Sequence, residues 1–407
     1  MNWLPLKSVR IENYKAIVDS GRLEFSPFTL LIGNNGSGKS SLIEALDALR
    51  SLGTETTDDA FVGPRAIEHV VNKAKKLGRV SESQDIARPS ERLRFSGAGR
   101  LFSNDHLHGI GGGRDIPRDG IAFSFQTELA TVRQGESLLI TKEQLTSSSG
   151  KLERDSTGLI EITDRGEKTP SDARAISLTD SMLRFELGSY FTYWQILGLV
   201  PEHMGLPVPR RTALRSKTLL RDGSNVAEIL NLLAHDNRDI FDSIVDTMRH
   251  ILGYAERMDP RQDLGAIRNR FIELDEREFT VPGWMLSTGT LRIIALLIAL
   301  RWPKSPTVIC IEEIENGLDP RTLSLLLDEI KFRTESKKIQ VIATTHSPYL
   351  LDQIELEQVM IVHRDDGQPK FLKPSNSEHV KAFVSRFDPG KLYTMGVLDK
   401  AVEELLG

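Results

Sequence analysis

Thr29-Leu30-Leu31-Ile32-Gly33-Asn34-Asn35-Gly36-Ser37-Gly38-Lys39-Ser40-Ser41 is the stretch whose reading decides the fold. Thr29 to Ile32 is a short apolar run of the kind that forms a buried strand. Beyond the stretch, Leu42, Ala45, Leu46 and Leu49 recur at helical spacing. Between them stands the pattern G-x-x-x-x-G-K-[ST], with Gly33, Gly38, Lys39 and Ser40 at its defining positions. Glycine tolerates backbone angles that a side chain blocks, so the N–H groups from Asn34 to Ser41 can turn inward toward phosphate oxygens. The helix N-terminus adds partial positive charge at the same point. Lys39 would reach the outer phosphates, and the Ser40 hydroxyl would hold a magnesium ion. In the empty loop Lys39 is expected to stand exposed, with no structural partner. The stretch predicts a nucleoside triphosphate site.

Composition bounds the rest. The 407 residues are 39% hydrophobic, enough for one large core or two modest ones. A net charge of −5 excludes a generic polyanion binder, though a local basic surface stays open. The single cysteine, Cys310, excludes a disulfide framework and fits a reducing cytoplasm. It lies in an apolar run and reads as a small buried hydrophobe. Met1-Asn2-Trp3-Leu4-Pro5 lacks a basic region followed by an apolar stretch, so no secretion signal is expected. The longest apolar segment, Ile293 to Leu300, is far short of the ~20 residues that span a bilayer. The expectation is a soluble, cytoplasmic protein with no membrane contact.

Taken in order, Leu6 to Ala16 and Leu23 to Phe25 read as strands entering the core. Asp58 to Arg100 is charged and reads as a solvated helix face or loop. Gly109-Ile110-Gly111-Gly112-Gly113 is a break. From about 120 to 163 apolar residues alternate, including Ile121, Phe123 and Phe125, which predicts a small antiparallel β region. From about 180 to 280 the pattern becomes mostly helical. Within it, Pro207 to Arg221 carries Arg210, Arg211, Arg215, Lys217 and Arg221 with no acid, and reads first as a solvated connection. No sustained heptad pattern appears, so the insert is globular.

A second group of residues completes the site. Thr307 to Ile311 is an apolar strand that ends in Glu312-Glu313. In phosphate-loop enzymes a strand-end acid holds magnesium through water, and its neighbour can orient the attacking water or accept its proton. Ile339 to Thr344 is another buried strand, and it delivers Thr345 and His346 to its C-terminal end. Ligands of open α/β sheets sit beyond those ends. Leu286-Ser287-Thr288-Gly289-Thr290 precedes a helix that is apolar on nearly every side except Arg292. Alone, it reads as a helix cap.

Together, these segments resemble ABC-type ATPase heads. Gly33 to Ser40, Leu286 to Gly289, Glu312-Glu313, Gly317-Leu318-Asp319-Pro320 and Thr345-His346 stand in the order of phosphate loop, signature loop, Walker B pair, D-loop and switch histidine. The chain is most similar to the standalone AAA-type subset, akin to RecF and the ATPase half of OLD-family proteins. Arg221-Asp222-Gly223-Ser224-Asn225-Val226-Ala227 is close to a motif of these ATPases.

The resemblance implies an α/β fold, a P-loop NTPase head of ABC type with a mixed central sheet. The nucleotide-binding core would comprise residues 1–57 and 283–407, and residues 58–282 would form an inserted β-containing and helical lobe. It implies ATP and Mg2+ as cofactors and a homodimer, or a higher oligomer of dimers. Each nucleotide would lie between one phosphate loop and the partner's Ser287 and Gly289. Glu313, His346 and Lys39 would be catalytic, with Ser40 and Glu312 at the metal. Glu312 departs from the usual aspartate, Ile314 replaces a frequent proline, and the Q-loop glutamine stays open among Gln84, Gln126, Gln134 and Gln144. Relatives of this kind are frequently bacterial anti-phage defence components or DNA-maintenance factors, so the resemblance implies an ATPase that would gate a separate effector, a nuclease in the defence setting. The alternative is a RecF-like repair or replication ATPase that contacts DNA. A nuclease domain on this chain is not expected, since the stretch after His346 is short for one. A transporter subunit is disfavoured by the large insert after the phosphate loop.

Overall fold

The computed structural model describes residues 3–61, 67–70, 92–102, 120–132, 137–147, 150–155, 158–162, 190–209, 218–262, 269–303, 306–384 and 386–406. The Gly109–Gly113 break, Gln84, Gln134 and the centre of the Pro207–Arg221 run lie outside these residues. The strands, in chain order, are β1 (Leu6–Tyr14), β2 (Ile17–Asp19), β3 (Leu23–Glu24), β4 (Phe28–Ile32), β5 (Leu93–Leu101), β6 (Ile121–Val132), β7 (Ser137–Ser147), β8 (Gly150–Asp155) and β9 (Gly158–Ile162). They continue with β10 (Gln195–Leu197), β11 (Ala255–Gln262), β12 (Arg270–Glu276), β13 (Phe279–Pro282), β14 (Thr307–Ile311), β15 (Ile339–Thr344), β16 (Val359–Asp365) and β17 (Gln368–Leu372). The longer helices are α1 (Lys39–Leu52), α2 (Val226–Asp236), α3 (Arg238–Leu252), α4 (Thr288–Arg301), α5 (Pro320–Glu335) and α6 (Val397–Leu406).

Two sheets organise the molecule. One has the order β10-β14-β15-β4-β16-β17, parallel except for the β16–β17 hairpin. Its central strands are buried throughout, as expected of a parallel sheet covered on both faces. Alternate side chains serve different cores. Phe28, Leu30, Ile32, Ile309 and Ile311 pack with α2, α3, α4 and α5. Leu31, Val308 and Cys310 face the other way, toward α1 and the second sheet. That burial pushes the Cys310 thiol well above its ordinary pKa.

The second sheet is antiparallel, in the order β2-β1-β5-β6-β7-β8-β9, with β3 also on β1. The alternation from 120 to 163 thus forms part of a larger sheet to which the N-terminal strands belong. Gln340 on β15 clasps the two sheets together. Its amide donates to the Leu6 carbonyl at 2.8 Å and accepts from the Leu6 N–H at 2.9 Å.

The sheets do not divide at residues 57 and 283. β5 pairs with β1, and β10, also within 58–282, pairs with β14 in the parallel sheet. A three-residue strand is too short to show a period. The region expected to be helical up to 280 contains α2 and α3, but it ends in a three-stranded antiparallel sheet, β11-β12-β13. In β11 only Ala255 and Met258 are buried, and the remaining positions are largely polar, so its alternation is faint. Ile272 and Leu274 of β12 carry a short period of two, and they pack into the core shared with α2 and α3.

Candidate nucleotide site

β4 delivers the phosphate loop. Gly33, Gly36 and Gly38 have φ of 148°, 75° and 113°, in the region that favours glycine. A Cβ on Gly33 would lie 2.1 Å from the Val362 carbonyl oxygen, so the loop closes against β16 only with glycine there. α1 then starts without a side-chain cap and without an acid in its first turn. Its first N–H groups are therefore left for an anion. The Ser37 hydroxyl is buried, with no hydrogen-bond partner among the described residues. Asn34, Asn35, Gly36 and Ser40 are exposed at the mouth of the loop.

Lys39 corrects one expectation. Its amine is buried, and it donates to the Gly33 carbonyl at 2.7 Å and the Asn34 carbonyl at 3.1 Å. The ammonium thus rests on carbonyl oxygens of its own loop. Burial lowers its pKa, and the carboxylates of Glu313 and Glu315 oppose that shift.

β14 and β15 are adjacent, and β15 borders β4, so their C-terminal ends stand side by side. Glu312 accepts a short hydrogen bond from Arg221, and burial raises its pKa while Arg221 opposes the rise. Glu313 is exposed, with φ of 48°. Its N–H donates to the Thr344 hydroxyl at 2.8 Å, and its carbonyl accepts from Arg292 at 2.8 Å. The Asn316 amide donates to its carboxylate at 3.2 Å. The exposed His346 is held through its backbone N–H, which donates to Glu315 at 2.7 Å.

Ser287 caps α4: its hydroxyl accepts from the Thr290 N–H at 3.1 Å. It also stays exposed. A Cβ on Gly289 would lie 2.3 Å from the Gly317 carbonyl oxygen, so this glycine lets the start of α4 lie on the turn before α5. Asp319 caps α5 through the N–H groups of Arg321 and Thr322. Among the open glutamine candidates, Gln126 and Gln144 pair with each other across β6 and β7.

These residues fit a nucleoside triphosphate. A glycine cradle, an uncapped helix start, a buried lysine and an orphaned Ser37 hydroxyl all point to an anion held at the loop. They also fit magnesium held mainly by phosphate and water. Ser40 and Glu312 supply two oxygen donors, in keeping with an ion that seldom uses an all-protein cage.

Comparison with known proteins follows from this geometry. Residues 144–352, just over half of the chain, match the family model described as "AAA domain, putative AbiEii toxin, Type IV TA system". The chain belongs to this AAA family. Residues 5–86 match a second model, described as "AAA ATPase domain", which spans the phosphate loop. No curated protein matches the chain. Among solved structures, an SMC head bound to the C-winged helix domain of ScpA is 13% identical, with 90% of this chain and 96% of that one covered and a TM-score of 0.53. The SMC head domain from Thermotoga maritima is 14% identical, with 91% and 99% covered and a TM-score of 0.42. An SMC head with an extended coiled coil from Pyrococcus furiosus is 12% identical, with 94% and 99% covered and a TM-score of 0.48. The AAA-family chain thus has an SMC-head-like P-loop ATPase fold of ABC type.

Reading of the sequence gave Asp47 and Glu315 no place in this AAA-family site, and it set Arg221 in a basic run and at the head of a family-like motif without a partner. Glu315 stands three residues past Glu312, and its role comes from the turn that aims it at the His346 N–H. Arg221 hides at the end of a basic run, and Asp47 within the pattern of α1. No helix among the described residues is long and apolar enough to cross a membrane.

Proposed function

We propose that this AAA-family ATPase binds and hydrolyses Mg-ATP, and that it dimerises head to head around two nucleotides to gate a separate effector. The observation that carries the reading is the meeting of Lys39, Glu312, Glu313 and His346 at neighbouring strand ends. Lys39 and the loop N–H groups bind the phosphates. Ser40 and Glu312 would hold magnesium, which supplies positive charge to the phosphate oxygens when bound. Glu313 accepts the proton of the attacking water, aimed by Asn316 at its carboxylate and by Thr344 and Arg292 at its backbone. His346 orients groups on the outer phosphate side.

The dimer is supported by Ser287. It caps its own helix yet leaves an exposed helix start, a ready anion site for a nucleotide on a second copy. Resemblance to OLD-family heads supports a nuclease as the effector. The family description, which names a toxin of a toxin–antitoxin system, is in keeping with a bacterial defence setting. Phosphate release from ATP by the purified protein tests the core of the reading. Wild type should turn over in Mg2+, and Lys39→Ala should lose both nucleotide binding and turnover while keeping the wild-type circular dichroism. Unchanged ATP affinity in Lys39→Ala would contradict it.

A further inference from the structure

Arg221 closes a basic run that reads as a solvated connection and heads the Arg221–Ala227 motif, whose part in the nucleotide site the sequence leaves unassigned. The fold nevertheless sets it beside Glu312. The Gly198 N–H donates to the Arg221 carbonyl at 2.9 Å and the Val200 N–H to the Asp222 carbonyl at 3.0 Å. Residues 221 and 222 therefore run along the chain that leaves β10. On the other side, the Glu312 N–H donates to the Leu197 carbonyl at 2.8 Å. Arg221 is thus fixed through its main chain, next to the end of β14.

Its guanidinium joins two elements. It donates to the Glu312 carboxylate and lies 3.5 Å from the Asp47 carboxylate on α1. Ser40, Glu44 and Asp47 follow each other at positions i, i+4 and i+7, so they share one face of that helix. Lys15 pairs with Glu44 at 2.5 Å, and Arg50 with Asp47 at 3.0 Å. Asp47 is only 7% exposed and Glu312 21%, so water screens neither fully. Two such carboxylates repel unless a cation stands between them. Arg221 is that cation. A Cβ on Gly198 would be 3.3 Å from the Glu312 carboxylate and 3.5 Å from the Arg221 guanidinium, so a larger residue there would crowd the pair.

We propose that Arg221 is a positioning residue for the magnesium site. It anchors Glu312 against α1, so that the metal meets an acid already oriented on the Ser40 side of the helix. The proposal rests on the reading of Ser40 and Glu312 as magnesium donors. Partners of this kind, which hold a metal-binding carboxylate from behind, are typically worth about 10–100-fold in metal affinity. A planar two-ended guanidinium is needed to reach both acids, so lysine should substitute only in part.

The test is calorimetric titration of a non-hydrolysable ATP analogue at a series of Mg2+ concentrations, for wild type, Arg221→Gln and Arg221→Lys. Arg221→Gln should raise the half-saturating Mg2+ about 10–100-fold, with affinity in EDTA unchanged. Arg221→Lys should fall between it and wild type, and it carries the test should the glutamine variant fail to fold. An unchanged or lowered Mg2+ requirement in either variant would overturn the proposal, the lowered case meaning that Arg221 competes with the ion. Failure of wild type to bind the analogue at any Mg2+ concentration would instead remove the nucleotide reading and the proposal with it.

Discussion

Glu313 is given the most demanding role in the proposed site, and its backbone is unusual there. A non-glycine residue at φ of 48° sits in a sparsely populated region, held there by Thr344 and Arg292 on either side of its peptide. Glu313→Gln keeps the shape and hydrogen-bonding reach of the side chain but removes its basicity. Turnover should fall by about 10²–10⁴, with ATP affinity largely kept, as single-turnover and binding measurements would show. Equal loss of binding and turnover would mean that Glu313 shapes the site rather than acts on water. At this scale the places of Lys39, Glu312, Glu313 and His346 just beyond the ends of β4, β14 and β15 were legible in the sequence. Arg221 and Glu315 were not, because their partners lie 91 and 31 residues away in the chain. No local pattern encodes such pairings. The buried amine of Lys39, bonded to its own loop, was equally beyond sequence, which shows the lysine but not where it rests.

Among elements, α4 and α5 carry at their starts the Ser287–Gly289 loop and the Gly317–Pro320 turn. Arg301 at the end of α4 donates to both oxygens of Glu329 on α5, at 3.0 and 2.8 Å, and also to the Ser243 carbonyl on α3 at 2.6 Å. Burial alone would raise the Glu329 pKa, but the hydrogen bonds from Arg301 and Arg333 outweigh it and leave the carboxyl below its ordinary value of 4.5. A carboxyl lowered on folding contributes stability that is present above its unfolded pKa and lost as pH falls through its folded one. Glu329→Gln should therefore cost about 2 kcal/mol at neutral pH. Its melting temperature should also fall less steeply than that of wild type from about pH 5 to about pH 3. Parallel acid limbs for the two proteins in thermal melts would contradict this account of Glu329.

At the other end of α4, Gly289→Ala would force the loop off Gly317. Nucleotide binding to the chain's own phosphate loop should survive while hydrolysis falls at least about tenfold, as expected for a displaced transition-state contact. A variant with wild-type turnover would remove the packing role of Gly289. The central strands and α4 were readable as continuous apolar runs, and α2 and α3 by helical spacing of apolar residues. The sheet β11-β12-β13 was not, since in β11 only two of eight positions are buried and its period of two is lost among charges.

At the scale of the molecule, the proposed function uses two surfaces at different points of the sequence, the glycine loop after β4 and the exposed start of α4. In the proposed dimer each copy brings its phosphate loop to the other's signature loop, so the nucleotide itself is the adhesive. Such an arrangement makes association depend on an intact triphosphate and end with hydrolysis, which is how the head would time an effector. In that reading the antiparallel sheet, joined to the parallel sheet through Gln340, is the part of the chain that would sense the state of the dimer. Sequence gave no sight of this joint, because one buried glutamine meeting β1 across 334 residues has no local signature.

The measurement that tests the central claim most directly is light scattering of Glu313→Gln in Mg-ATP and in Mg-ADP, with Glu313→Gln/Ser287→Arg alongside. The account predicts a dimer of Glu313→Gln in ATP alone, dispersed in the double variant because arginine at 287 blocks the contact from the opposite chain. Glu313→Gln that associates no more in ATP than in ADP, although ATP binds, would contradict it.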